Sequence, residues 1–401
     1  MSARGTDIRS VAGGVCAVEG VRAAGICAGL KASGKPDMAL VAVDRPVPAA
    51  GVQTSNQILA APVVVTARHL SDGRARAVLC NAGNANVCTG PDGLALAEES
   101  ARAVAAELGC AAADVLLCST GVIGVPFAAE PLLAGIPRVA ARLGSGGHDA
   151  AARAIMTTDT VVKESAVEVT GGAGSCVVGG MAKGSGMIAP AMATMLCVLT
   201  TDAPFDGVEL RQALATAVAR SFDRISVDGC MSTNDAVLLL ATGTAAQPPG
   251  TEAFTAGLTA VCADLAEQIV RDGEGATRLL RIDVTGARSE DDAVAVGRAV
   301  ASSALVKTAL AGGDPNWGRV LAAIGAGPVR IDPDRIAVTF GGVTVCRSGV
   351  AAAFDEADVT AALRGRDVTC SVDLGLGDAH ATFLTCDLTQ EYVRINAEYT
   401  T

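Results

Sequence analysis

Aromatic side chains are scarce in this chain: seven Phe, two Tyr and one Trp among 401 residues. The core must therefore be filled by Ala, Val and Leu, with backbones drawn close at many of the 46 glycines. Histidine is scarcer still (His69, His148 and His380), and no C-x-x-C occurs among the 13 cysteines. Those absences remove the ligand spacings of structural zinc, so neither a metal nor a cofactor is expected. No apolar run reaches the roughly 18 residues of a membrane span, and no apolar segment of signal-peptide length opens the chain. Cysteines inside stretches such as ATMLCVL read as buried thiols of a cytoplasmic protein. Positive charge is also in deficit, with 31 Lys and Arg against 42 Asp and Glu, a net charge of −11 and a pI near 4.8. That balance argues against a nucleic-acid partner, while a local cationic pocket for a small anion stays open.

Familiar fingerprints are missing as well. No G-x-G-x-x-G and no G-x-S-x-G stands in the chain, which removes a dinucleotide loop and a hydrolase elbow. GGMAKGSG looks like a phosphate loop, but its order is Lys183-Gly184-Ser185, with Pro190 and an apolar run behind it rather than a helix.

What is present is a core-rich globular chain, 50% hydrophobic and 18% charged. Strands are expected at 38–43, 61–67, 76–83, 114–121, 194–200, 236–243, 279–286, 335–340, 368–375 and 381–388. Helices are expected over 91–109, 205–222, 251–271 and 289–311, with Asp206, Thr251 and Ser289 as N-caps. Residues 125–150 read as the softest stretch, and the glycine-rich 171–180 as a turn between short strands. Strands cluster instead of alternating strictly with helices, which favours layered α+β architecture over a doubly wound sheet.

One residue is out of place. In AKGSGMIAPAMATMLCVLTTD (182–202), Thr194 interrupts an apolar run. Its β propensity would explain a plain strand residue. A threonine becomes a useful nucleophile, however, when its own free α-amine serves as base, because that amine titrates near ~7.7–8.0. Cutting the Ala193–Thr194 bond would free it, and the small residues Ala191 and Ala193 leave room for attack by Thr194 itself. The oxyanion so formed needs fixed donors, for which CSTGVIG (118–124) offers the Thr120 hydroxyl and the Gly121 N–H. Read alone, that stretch is a strand and turn.

GGMAKGSGMIAPAMATMLCVLTTDA (179–203) resembles the self-cleavage segment of the ornithine acetyltransferase family, the glutamate N-acetyltransferases of arginine biosynthesis. Further stretches agree in order: NAGNANVCTG, CSTGVIG, IMTTDT, SVDGCMSTNDAVLLLATG, RDGEGAT, SSALVKTALAGGDPNWGR and RINAEYTT. The match runs from about residue 20 to the end; the first 20 residues are atypical.

The resemblance implies an N-terminal-nucleophile α/β sandwich made as a precursor, cut into chains 1–193 and 194–401 and assembled as α2β2. Thr194 would be nucleophile and new N-terminus, Thr120 and Gly121 the oxyanion pair. Thr157, Lys183, Thr194, Glu274, Asn396 and Thr401 would be the substrate contacts. Lys183 suits a carboxylate and Glu274 the δ-ammonium of ornithine. Acetyl would pass from N2-acetylornithine to glutamate by a ping-pong route, and acetyl-CoA is a second donor to be tested. Alone, Lys183 and Glu274 would read as solvated charges, Thr157 as a helix cap, and Asn396 and Thr401 as a frayed tail. Asp314-Pro315-Asn316-Trp317 reads as structural. Two rivals stand beside this reading: a related aminopeptidase or amidohydrolase that uses water as acceptor, and a non-enzymatic metabolite-binding protein.

Overall fold

The computed structural model describes residues 5–172, 174–189 and 195–398. Its strands, in chain order, begin with β1 (Asp7–Ser10), β2 (Arg22–Ile26), β3 (Met38–Gln53), β4 (Arg74–Asn84) and β5 (Val115–Val122). Next come β6 (Lys163–Gly171), β7 (Gly174–Lys183), β8 (Leu196–Thr201), β9 (Ile225–Ser226) and β10 (Ala236–Ala241). The remainder are β11 (Leu279–Ala287), β12 (Ala337–Phe340), β13 (Val343–Arg347), β14 (Val350–Ala351), β15 (Asp367–Asp373) and β16 (Ala379–Cys386).

Among the described residues these strands form two mixed sheets. The nine-stranded one runs β1-β6-β7-β8-β10-β3-β4-β5, with β2 added beside β3. The long β3 meets β4 along one edge; on the other edge its first half pairs with β2 and its second half with β10. The seven-stranded sheet, β14-β13-β12-β15-β11-β16-β9, draws on residues 225–386 alone.

Alternate side chains of the larger sheet feed cores on its two faces, as the period of two requires. Cys197, Leu199, Val237 and Leu239 pack under helices Gly207–Ala219 and Thr251–Arg271. Leu196, Val198, Leu238 and Leu240 face the opposite way, toward helix His148–Ile155. Thr251–Arg271 has the length and hydropathy of a membrane span, yet ten of its residues are buried in this core. The thirteen cysteines are all unpaired, and eight of them are buried. The layered α/β architecture is the one expected.

Several elements differ from expectation. Residues 61–67 are not a strand; Ala61–His69 is a helix with Pro62 in its first turn. A short apolar run has no diagnostic period, and tertiary packing decided the case. The Thr66 hydroxyl accepts from Leu117 N at 2.8 Å and donates to Leu117 O, completing backbone bonds along the edge strand β5. Residues 125–150, the stretch read as softest, hold two helices, Ala129–Ala140 and His148–Ile155, with Gly144, Gly146 and Gly147 in the turn between them. The glycine-rich 171–180 is mostly strand, because β7 occupies 174–183. The helix expected over 289–311 is two, Glu290–Ala301 and Ala304–Gly312, with Ser303 capping the second. Ser289 and Asp206 cap as expected, but Gly250, not Thr251, precedes its helix.

Candidate active site

Strands β4 and β5 run parallel, and their C-terminal ends bring Thr120 beside Ala82 and Gly121 beside Gly83. Gly121 has φ +132°, and a Cβ there would overlap the Gly83 backbone, so only glycine fits. A polar lattice holds this corner. Asn234 Nδ2 donates to Ala85 O at 2.6 Å and to Ser119 O at 2.9 Å, and the Ser119 hydroxyl donates to Asn81. Within that lattice the Thr120 hydroxyl is 1% exposed yet has no hydrogen-bond partner. An orphaned buried hydroxyl costs about 1–3 kcal/mol, so its retention marks a place where a ligand oxygen would sit.

A buried charge cluster forms the opposite wall. Lys183, at the end of β7, is 2% exposed, with its Nζ 3.9 Å from Asp159 Oδ2. The other Asp159 oxygen accepts from Lys163 Nζ at 2.7 Å and from Gly184 N at 2.7 Å. Lys163 also reaches Asp272 Oδ2 at 2.6 Å. Burial pushes the Asp159 carboxyl up, but Lys183 and Lys163 outweigh it and hold the group well below the ordinary carboxylate range. Burial lowers the Lys183 ammonium, opposed chiefly by Asp159. Burial likewise brings Lys31 down to about 8, against the pull of Asp37 and Asp159.

Glu274 closes the third side. Its N–H donates to Ser185 O at 3.0 Å, and its carboxylate accepts from Asn396 Nδ2 at 2.8 Å. Gly186 lies flush against that carboxylate, where a Cβ would overlap it. Between these walls is a cavity of about 60 Å³. Thr120, Gly121, Thr157, Lys183, Glu274 and Asn396 all line it. Six residues expected from separate stretches of sequence therefore meet in one place.

The other three expected residues, Ala193, Thr194 and Thr401, lie outside the described residues. The chain is pinned on both sides of 190–194. Asp228 accepts from Met187 N at 2.6 Å and Ile188 N at 3.0 Å, and Asp235 accepts from Met195 N at 2.9 Å. Sequence reasoning assigned no role to Asp159, Lys163, Asp228, Asp235 or Asn234. Carboxylates at the ends of apolar strands, as in STNDAVLLL, were the available signal. Trp317 is not in the cavity; it packs against the core of the smaller sheet, next to Asn316, which caps its helix.

The family model described as "ArgJ family" matches residues 22–401. Among curated relatives, the arginine biosynthesis bifunctional protein ArgJ of Mycobacterium tuberculosis is 49% identical over 395 residues, 96% of this chain and 96% of the relative. The protein of the same name from Symbiobacterium thermophilum is 48% identical over 399 residues, 98% of this chain and 99% of the relative. Among solved structures, ornithine acetyltransferase of M. tuberculosis complexed with ornithine is 44% identical, with a TM-score of 0.42. That match covers 46% of this chain and 98% of the solved one.

Proposed function

Because this chain belongs to the ArgJ family, we propose that it is a glutamate N-acetyltransferase of arginine biosynthesis, moving acetyl from N2-acetylornithine to glutamate through Thr194. The observation that carries the reading is the unpartnered Thr120 hydroxyl, set in one small cavity with Gly121, Lys183 and Glu274.

The chain first cuts itself into 1–193 and 194–401. The Thr194 oxygen attacks the Ala193 carbonyl, the peptide C–N bond breaks to leave an ester and a free amine, and water hydrolyses the ester. In turnover that amine takes the Thr194 hydroxyl proton as the oxygen bonds to the acetyl carbonyl carbon. The Thr120 hydroxyl and Gly121 N–H donate to the oxyanion. Collapse breaks the acetyl–nitrogen bond, the ammonium proton passes to the leaving nitrogen, and ornithine departs. The α-amine of glutamate then attacks the Thr194 ester and carries the acetyl away.

Lys183 pairs with the α-carboxylate common to donor and acceptor, and Glu274 with the δ-ammonium of ornithine. Thr157, Asn396 and Thr401 complete the contacts. Acetyl-CoA is proposed as a second donor. We place the enzyme in the cytoplasm as an α2β2 assembly.

The test is mass spectrometry of protein mixed with N2-acetylornithine alone. An acetyl group on the fragment beginning at Thr194, removed by glutamate and not by water, is the expected result. Loss of acetyl to water at an equal rate would make the protein an amidohydrolase. No adduct at any quench time would refute the covalent route.

A further inference from the structure

Two ammonium groups share the Asp159 carboxylate, and they are held differently. Lys163, at the start of β6, is fully buried, and its three N–H donors are all engaged. They meet Asp159 Oδ1 at 2.7 Å, Asp272 Oδ2 at 2.6 Å and Val161 O at 3.2 Å. Lys163 does not line the cavity. Lys183 does line it, and its Nζ stands 3.9 Å from Asp159 Oδ2, beyond hydrogen-bond distance.

The carboxylate between them is occupied on the protein side. Asp159 Oδ1 also accepts from Gly184 N at 2.7 Å, and Oδ2 accepts from Thr157 N at 2.9 Å. Asp272, the far partner of Lys163, accepts from Thr160 N at 2.9 Å, and its carbonyl accepts from the Ser185 hydroxyl at 2.6 Å. The cluster thus fastens Thr157 and Lys183 to the turn that carries Glu274. Asp159, Glu274 and Asp235 favour the charged form of Lys183, while Lys163 opposes it and Lys31 also faces it. A buried charge without compensation is costly, so a lone Lys183–Asp159 pair would close to contact. Lys163 removes the need, because it already supplies Asp159 with a counter-charge.

We propose that Lys163 is a positioning residue that neutralises Asp159 from the protein side and so keeps the Lys183 ammonium unlatched, free to meet the α-carboxylate of the substrate. This rests on the reading above in which Lys183 takes that carboxylate. Lys163 itself touches no substrate. Its effect reaches the ligand through Asp159 alone, which makes the two residues separable by experiment.

Ornithine is the probe, because it carries the α-carboxylate but no acetyl group, and calorimetry reads its Kd without turnover. In Lys163→Met the ammonium is gone, Lys183 becomes the one cation beside Asp159 and closes on it. Ornithine should then bind at least about tenfold more weakly. Adding Asp159→Asn removes the trap, so the double variant should bind more tightly than the single one, to within about threefold of wild type. A purely structural role predicts the reverse, with the second buried substitution adding to the damage of the first. An unchanged Kd in Lys163→Met, or a double variant no tighter than the single one, would overturn the proposal.

If Lys163→Met does not fold, a crystal structure of the wild-type protein with ornithine decides instead. Lys183 on the ornithine carboxylate, with Lys163 still bridging Asp159 and Asp272, supports the proposal. Lys183 bonded to Asp159, or Lys163 turned onto ornithine, overturns it. A wild type that does not bind ornithine would sink both this proposal and the function. An acetyl adduct without the rescue would sink only the role of Lys163, and a rescue without any adduct would sink only the covalent acetyl transfer.

Discussion

Thr120 carries a conflict between stability and activity. Its hydroxyl is buried without a partner, so Thr120→Val should leave the melting temperature unchanged or raise it, by relieving an orphan worth about 1–3 kcal/mol. The same change removes one oxyanion donor and should lower kcat for acetyl transfer by roughly 10²–10³-fold. Paired thermal melts and kinetics on the cleaved protein check this; a melting temperature well below wild type would mean that the hydroxyl has a structural partner. Read alone, CSTGVIG shows only a strand and turn, and it is the family resemblance that singles out Thr120. Lys163 was not singled out. In VVKESAVEV it reads as a solvated charge, yet it is 0% exposed and bridges Asp159, four residues away, to Asp272, 109 residues away. Only the folded chain brings the second carboxylate to it.

The helices show how far local chemistry decides structure. At Gly207–Ala219, Asp206 accepts from Val208 N and Glu209 N, while Glu209 reaches back to Asp206 N at 3.0 Å. That reciprocal cap was plain in FDGVEL. Asp206→Ala should cost about 1 kcal/mol, read as a shift in the urea midpoint with unchanged slope, because the cap is exposed and no cavity forms. An unshifted midpoint would mean that water replaces the cap at no cost. Where no cap was written, sequence reading was weaker. APVVVTA has strand composition, and in its helical state Thr66 meets Leu117, 51 residues away, a partner its own sequence does not name. Residues 129–140 carry Pro131 and Pro137, yet they are helical, and Leu132, Ile136 and Val139 reach the core.

Across the whole molecule, the proposed cut falls between segments that share one sheet. β8 and β10, from the C-terminal side, lie between β7 and β3, from the N-terminal side. Six residue pairs join β7 to β8 and five join β10 to β3. The two fragments should therefore co-elute on gel filtration, melt in one transition, and separate only in denaturant. Two transitions, or fragments that part in buffer, would contradict the interleaving. This topology was the least legible feature, because nothing in a strand's own sequence names its neighbour.

The interleaving also bears on when the enzyme comes to life. Thr120, Lys183 and Glu274 lie far apart along the chain and become neighbours only once the central strands have zipped together. Under the proposed self-cleavage, a nascent or misassembled chain has not yet gathered the oxyanion donors and stays whole. Scission then works as an inspection stamp, issued by the finished fold to itself, and an uncut chain is one that never passed.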